Sequence, residues 1–346
     1  MADLTLQEVQ RRAQAGDPEA QELLAQVLEQ GGQAQDAAAW MARAAASGRA
    51  SALARLGLWE LAGFGMAARP ADGVRHIVEA AQAGDPFGLH LAAVADAGGI
   101  GTPRNLARAI SWLRAAAGAG DPHATRQMRL LGVNDAIMAL QAPFERVVLL
   151  EDPRIELLPD FLPPWACDYV IALAGPTLTR GKVIDDTGAE SVREERTNTV
   201  MNFGLVDSDV VLELINARAA AGARLPPQNA EGLGVLHYAP GERYKPHVDY
   251  IPDTPENAAQ LAQRGQRIRT LLIYLNEDFD GGATTFPRLE AAFKPPRGAA
   301  LVFDNVRPDG SIDPLTLHEG APPTRGQKWV ISKWFREKPL RPGPDA

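Results

Sequence analysis

The chain has 346 residues, enough for two domains that each bury their own core. Its 43 acidic against 35 basic residues give a net charge of −8, which excludes a general electrostatic pull toward nucleic acid or anionic membrane. One cysteine, Cys167, excludes an internal disulfide; no run approaches the ~18 apolar residues of a membrane span, and the start MADLTLQEVQRRAQAGD lacks the apolar core of a secretory signal, so a cytoplasmic protein is expected.

Residues 1–133 are dominated by Ala, Leu, Arg and Gln, with apolar positions at helical spacing and few β-branched runs. Within them Gly16-Asp17-Pro18, Gly48-Arg49-Ala50, Gly84-Asp85-Pro86 and Gly120-Asp121-Pro122 recur at intervals of 32, 36 and 36 residues. Each triplet reads as a joint between helices: glycine ends one in the left-handed conformation and, in the three Gly-Asp-Pro triplets, aspartate caps the next and proline fits its first turn. Between joints come Gly-containing loops such as LGLWELAGFG from Leu56 and AVADAGGIG from Ala93. These segments resemble tetratricopeptide-like repeats of the Sel-1 type, which implies an α-solenoid of helical hairpins whose three or four units share a stacked core. Gly88 departs from the alanine found at Ala20, Ala52 and Ala124, and the first repeat is short. A concave surface for a peptide or protein and a scaffold that only packs on the rest of the chain are equally open readings.

Residues 134–153 are expected as a linker. From about Val147 β-branched and aromatic residues rise, and short apolar runs alternate with Gly, Pro, Asn and Asp. Strands are expected over 232–238, 267–276, 283–286, 299–304, 316–319 and 328–336, preceded by helices over 165–174 and 207–221, which suggests a sandwich or jelly roll with flanking helices. Cys167 opens the first of these helices in an apolar setting and reads as a packed thiol. The domains expected are thus a repeat domain over 1–133, a catalytic domain over 154–338 and a tail over 339–346, an α+β multidomain chain.

His247 and Asp249 stand two residues apart, so on an extended chain they project to one face as a chelating pair. Of the six histidines, His76, His90 and His123 belong to the repeats, and His237 alternates away from the face of Tyr238. His318, 69 residues after Asp249, remains to complete a 2-His-1-carboxylate facial triad of the kind that holds Fe(II) with open positions. A structural histidine beside an aspartate is the ordinary alternative. Ten residues after His318 stands Lys328, opening the strand KWVISKWFR, on which Lys328, Val330, Ser332 and Trp334 share one face. If the turn at Pro322 pairs this strand with that of His318, Lys328 points into the metal cavity and needs an anion there; a strand-edge lysine reaching solvent is the other possibility.

Four ordered motifs carry a resemblance. RIELLPDFL from Arg154, YAPGERYKPHVD from Tyr238 to Asp249, RIRTLLIYLN from Arg267 with GGATTFP from Gly281, and HEGAPPTRGQKWVISKW from His318 together resemble the catalytic domain of prolyl 4-hydroxylases, within the Fe(II)/2-oxoglutarate oxygenase superfamily. The resemblance implies a double-stranded β-helix, or jelly roll, using Fe(II), 2-oxoglutarate and O₂, with ascorbate as an accessory. It implies His247, Asp249 and His318 as iron ligands and Lys328 as partner of the 2-oxoglutarate distal carboxylate. Tyr238 and Thr284 would hydrogen-bond the co-substrate, Tyr274 and Trp334 would wall the cavity or serve only the core, and Arg267 would contact substrate. Arg336 stands where some prolyl 4-hydroxylases carry histidine, so the target residue is left as proline or another. The stretch between Asp249 and Arg267 is expected as a substrate lid and residues 184–202 as the opposing rim, with solvated loops as the alternative. The expected activity is hydroxylation of a peptide or protein residue with decarboxylation of 2-oxoglutarate to succinate; a non-catalytic interaction scaffold and a small-molecule oxygenase are the alternatives.

Overall fold

A computed structural model describes residues 5–132, 135–184 and 190–343. Parts of the expected repeat domain (1–4 and 133), linker (134), rim (185–189) and tail (344–346) lie outside the described residues. The chain divides into two compact units: the residues up to Ala136 with Ser208–Glu213 and the stretch from Arg341, and Ile137–Asp207 with Leu214–Leu340.

The first unit is built on four helix pairs: Leu6–Gln14 with Pro18–Gln30, Ala34–Ala46 with Ala50–Ala62, Pro70–Gln82 with Pro86–Gly98, and Leu106–Gly118 with Pro122–Gly132. All four joints form as their local chemistry dictates. Gly16, Gly48, Gly84 and Gly120 take φ values of 91°, 81°, 80° and 93°. Asp17 accepts the amides of Glu19 and Ala20, Asp85 that of Gly88 and Asp121 that of Ala124, so three of the following helices start with their first free N–H groups satisfied. At the Gly48 joint Arg49 makes no side-chain cap.

Two buried acids recur three residues before the glycines that end Ala50–Ala62 and Pro86–Gly98. Glu60 accepts from Arg69 Nη2 at 2.6 Å and pairs with His76 Nδ1 at 2.7 Å. Asp96 accepts from Arg108 Nε at 2.6 Å and Trp112 Nε1 at 3.0 Å. Each acid thereby ties its helix to the following one, a polar contribution that the apolar periodicity did not reveal. The departure at Gly88 also has a cause: a Cβ there would stand 2.7 Å from Ala80 Cβ and 2.8 Å from the Ala81 nitrogen. Gly88→Ala therefore loses stability although alanine is the better helix former. Overpacking of about 1–3 kcal/mol exceeds the ~1 kcal/mol gain in propensity; a lower denaturation midpoint in urea checks this.

The second unit holds an eight-stranded antiparallel sheet in the order Val147–Glu151, Arg154–Leu158, Ala300–Asp304, Arg267–Tyr274, Lys328–Arg336, Leu233–Tyr238, Thr199–Phe203 and Thr179–Arg180. A four-stranded sheet runs Ala291–Phe293, Thr284–Phe286, His318–Gly320 and Tyr244–His247. Ile155, Leu272, Tyr274, Phe286, Phe303 and Val330 form a core to which both sheets contribute, the jelly-roll arrangement. Helix Pro164–Ala174 and the part of helix Val210–Ala223 from Leu214 onward belong to the same unit, and Cys167 is fully buried in the first, where burial pushes its thiol up to about 11.

The structure corrects three expectations. The segment expected as a linker carries helix Ala136–Gln141 and strand Val147–Glu151, because Val147-Val148-Leu149-Leu150 finds a hairpin partner in Arg154–Leu158. The expected strand over 316–319 starts only at His318, since Pro314–Thr316 turns as a 3₁₀ segment capped by Asp313. The turn at Pro322 does not pair Lys328 with the strand of His318. Pro323–Arg325 pairs instead with Asp280–Gly281, and Lys328–Arg336 inserts between Leu233–Tyr238 and Arg267–Tyr274 in the other sheet. A two-sided apolar strand buries more as a central member of the large sheet than beside a short strand.

Candidate active site

His247 ends one strand of the small sheet, Asp249 follows in the bend, and His318 opens the neighbouring strand directly opposite His247. That register brings the two imidazole rings to 4.3 Å between centroids. Asp249 lies between them, with Oδ1 3.8 Å from His247 Nε2 and Oδ2 3.6 Å from His318 Nε2. One ligand atom from each residue falls within 4.8 Å of the other two, a donor set that one cation can gather. Both histidines are oriented from behind: Nδ1 faces the Lys245 carbonyl in His247 and the Thr316 carbonyl in His318, each at 2.9 Å. Each Nδ1–H donates to its carbonyl, which leaves Nε2 as the lone-pair donor.

The electrostatics agree with a metal site. Burial, reinforced by His318, holds His247 down at about 3, so its imidazole is neutral. Burial alone would raise the Asp249 carboxyl, but His318, His247 and the Thr270 hydroxyl hold it below the usual range. Thr270, on the large sheet, donates to Asp249 Oδ2 at 2.7 Å and accepts from Asn305 Nδ2 at 3.0 Å. Two imidazoles and one carboxylate with open space beside them suit a divalent iron centre. Removing the outer support through Thr270→Val lowers metal affinity or turnover about 10–100-fold, read from an Fe(II) titration against wild type; an unchanged titration would dismiss the Thr270 bond as incidental.

The triad opens into a cavity of about 440 Å³ including its mouth. Lys328, Val330, Ser332 and Trp334 all line it, as strand alternation requires, while Trp329 on the opposite face lies 4.3 Å from the ring of His237. Lys328 is 2% exposed and, among the described residues, makes neither a hydrogen bond nor an ion pair. Its Nζ stands 5.1 Å from the ring centres of both Tyr238 and Tyr274. Burial, with a smaller effect from Lys294, pushes its amine down to about 7. A buried cation centre with no counter-charge suits an incoming carboxylate, which fits 2-oxoglutarate.

Tyr238 lines the cavity opposite Gly320, where a Cβ would meet the tyrosine hydroxyl at 2.7 Å; burial raises the phenol, so it stays a proton donor. Thr284 lines the cavity, and its hydroxyl shares a 2.7 Å hydrogen bond with Tyr274, whose phenol burial pushes up to about 12. Tyr274 itself is fully buried behind them. Arg267 lies outside the cavity lining: it grips Glu231 through Nε at 2.6 Å and Nη2 at 2.8 Å and stacks 3.9 Å above Trp334. Arg336 is held by the same Glu231 and by the Gly265 carbonyl. The stretch after Asp249 forms a loop and helix Ala258–Arg264, its base clamped where Gln266 bonds both backbone groups of Ile251.

Sequence reading named no role for Tyr244, Arg196, Thr270 or Glu231. Tyr244 stacks on His247 with centroids 3.5 Å apart, and Arg196 lies 4.7 Å above Tyr244. Tyr244 was readable, since it stands three residues before a ligand at the mouth of the same short strand. The other three reach the site from distant segments.

Comparison with known proteins agrees. The family model of the 2OG-Fe(II) oxygenase superfamily matches residues 233–336. Prolyl 4-hydroxylase 5 of Arabidopsis thaliana is 35% identical over 210 residues, covering 54% of this chain and 70% of the relative. Prolyl 4-hydroxylase 1 of the same plant is 36% identical over 201 residues, with the same 54% and 70% coverage. Among solved structures, a viral collagen prolyl hydroxylase of Paramecium Bursaria Chlorella virus-1 in complex with 2OG aligns at 25% identity with a TM-score of 0.41, covering 52% of this chain and 94% of that one. A Sel1 repeat protein of Oxalobacter formigenes aligns at 26% identity with a TM-score of 0.33, covering 36% and 96%.

Proposed function

The chain belongs to the prolyl 4-hydroxylase group of the 2OG-Fe(II) oxygenase superfamily, and from that premise we propose that it hydroxylates a prolyl or other residue of a peptide or protein. The observation that carries the reading is the juxtaposition, in one cavity, of the His247–Asp249–His318 cluster and the uncompensated buried Lys328. Those groups serve, respectively, one metal ion and one carboxylate of a small diacid.

Bound Fe(II) with 2-oxoglutarate and O₂ supplies the oxidation, in which 2-oxoglutarate loses CO₂ to become succinate and one oxygen atom enters a substrate C–H bond. The chain's own residues do the rest. His247, Asp249 and His318 would hold the metal, with the Nδ1–H bonds of the histidines and the Thr270 hydroxyl fixing the orientation of these ligands. Lys328 pairs the distal carboxylate, while Tyr238 and Thr284 offer hydroxyl donors beside it. Leu236, Leu272 and Val330 line the space with hydrocarbon and exclude water. The loop after Asp249 is read as the lid over the substrate, the helical repeats as a further hold on a protein substrate, and ascorbate as an accessory.

The test is to load the protein with Fe(II), supply 2-oxoglutarate and O₂, and measure succinate together with a mass-spectrometric search of a cell-extract proteome for peptides that gain one oxygen. His247→Ala is the control. Succinate without any oxidised peptide would move the substrate to a small molecule, and absence of succinate in every condition would leave a non-catalytic scaffold.

A further inference from the structure

Between turnovers, the lysine that suits a carboxylate is also an unused nucleophile. Lys328 lines the cavity, almost wholly buried, and among the described residues its amine has no hydrogen bond and no ion pair, Asp249 in the same cavity included. Its stem packs beside Gly282, where a Cβ would stand 3.5 Å from the lysine Cδ, which holds the amine in the cavity wall. An ammonium in that place loses its hydration and receives only the faces of Tyr238 and Tyr274, each 5.1 Å away, so the neutral amine is favoured far more than in water. Burial, aided by the charge of Lys294 stacked over Phe279, pushes the group down to about 7, which leaves roughly half of it as free base at neutral pH. Burial raises both neighbouring phenols, so Tyr238 and Tyr274 stay neutral hydrogen-bond donors. Lys333, on the opposite face of the same strand, is buried as deeply but is no such nucleophile: its Nζ donates to Asn216 Oδ1 at 2.7 Å, and it lies outside the cavity lining.

A neutral amine adds to carbon dioxide, and decarboxylation of 2-oxoglutarate releases that molecule in this cavity. We infer that Lys328 is a carbamylation site, at which CO₂ adds to Nζ and the carbamate so formed shuts 2-oxoglutarate out. The Nζ lone pair makes the new N–C bond, one C=O π pair moves onto oxygen, and one N–H proton leaves to water at the cavity mouth. Amine and CO₂ thus give R–NH–CO₂⁻ and H⁺, with nothing oxidised or reduced. The added atoms need no more room than the carboxylate of a diacid bound at the same nitrogen. Tyr238 and Thr284, whose hydroxyls line the cavity, are placed to donate to the carbamate oxygens, and the Lys294 charge that opposes the ammonium favours the anion. Lys328 changes from the cation that attracts a carboxylate into an anion that repels one, so accumulated CO₂ acts as a product brake. The carbamate itself needs only the amine and CO₂; the exclusion of 2-oxoglutarate rests on the reading that Lys328 takes its distal carboxylate.

The experiment equilibrates the full chain with CO₂-saturated or CO₂-free buffer at one pH, traps carbamates by alkylation with triethyloxonium, and maps them by mass spectrometry, with the α-amino group of the chain as the positive control for trapping. Lys328 carries the trapped ethoxycarbonyl group only in the CO₂ sample, Lys333 carries none, and Fe(II) with 2-oxoglutarate, without O₂, suppresses the label at Lys328. Binding isotherms on the Fe(II)-loaded chain without O₂ read the consequence. The apparent dissociation constant for 2-oxoglutarate rises with dissolved CO₂, about fivefold once roughly four-fifths of the chains carry the carbamate. Lys328→Arg keeps a cation but offers no nucleophilic amine, so whatever affinity it retains does not respond to CO₂; a matching response in that variant would assign the effect to another site and overturn the inference. A bare Lys328 beside a trapped α-amino group overturns it outright, and a labelled Lys328 with CO₂-independent 2-oxoglutarate affinity overturns the brake. Failure of 2-oxoglutarate to bind even in CO₂-free buffer removes the co-substrate reading instead, while the label at Lys328 still decides the carbamate.

Discussion

Asp249→Asn abolishes succinate formation while leaving the protein folded. The substitution keeps the shape of the side chain but removes the one anionic ligand of the cluster, so only the two imidazoles remain to hold a divalent cation. Loss of an outer partner of a metal ligand costs about 10–100-fold, and loss of the charged ligand itself exceeds that in both Fe(II) affinity and turnover. The remaining amide still meets Thr270, so the thermal midpoint changes little. Fe(II) titration, succinate assay and a melting curve on the same sample check the three parts. Retention of wild-type turnover would remove Asp249 from the metal site altogether.

Lys328→Met has the second large effect, and it splits in sign. Methionine matches the lysine stem in length and apolar character but offers no charge to a carboxylate. Breaking a buried pair by removing one partner costs about 3–5 kcal/mol, so the apparent dissociation constant for 2-oxoglutarate rises by roughly two to three and a half orders of magnitude. In the ligand-free protein the same change is stabilising, because the amine is buried without a counter-charge. Its pH dependence follows from an amine lowered from an ordinary 10.5 to about 7. Between these two values the unfolded chain holds a proton that the folded chain has released, so stability contributed by this group rises as pH rises through that window. The penalty is largest below about pH 7, where the charged form is buried. Wild type therefore gains on Lys328→Met as pH increases from about 7 to about 10.5. Binding of 2-oxoglutarate shows the opposite trend: above about pH 7 the site must take up a proton to pair the carboxylate, and affinity weakens by up to about tenfold per pH unit. Denaturation and binding isotherms at a series of pH values read both slopes, and a flat difference between the two proteins would show that Lys328 does not titrate in this window.

Much of this molecule was legible locally. The joints at Gly16, Gly84 and Gly120 could be placed because capping, a left-handed glycine and proline in a first turn each involve neighbours a few residues apart. The pair His247 and Asp249 was visible for the same reason, and alternation along Lys328–Arg336 correctly assigned Lys328, Val330, Ser332 and Trp334 to one wall. Even Lys328's destination followed, although the pairing expected to take it there was wrong. The strand reaches the cavity from the opposite sheet, and either sheet directs its inner face to the same space.

What the sequence determined by itself was therefore whatever rests on short-range geometry: the repeat joints, the chelating pair and the faces of the strands. Tertiary structure alone decided the groups that meet across distant segments. Thr270 reaches Asp249 from 21 residues away and Asn305 supports Thr270 from 35. Glu231 collects Arg267 and Arg336 across 36 and 105 residues. Arg196 comes to lie over Tyr244, and Gly88 proves to be a packing requirement instead of a drifted alanine. The physical reason is that periodicity specifies which face a side chain takes, whereas its partner depends on strand register and helix approach, which the whole core sets at once.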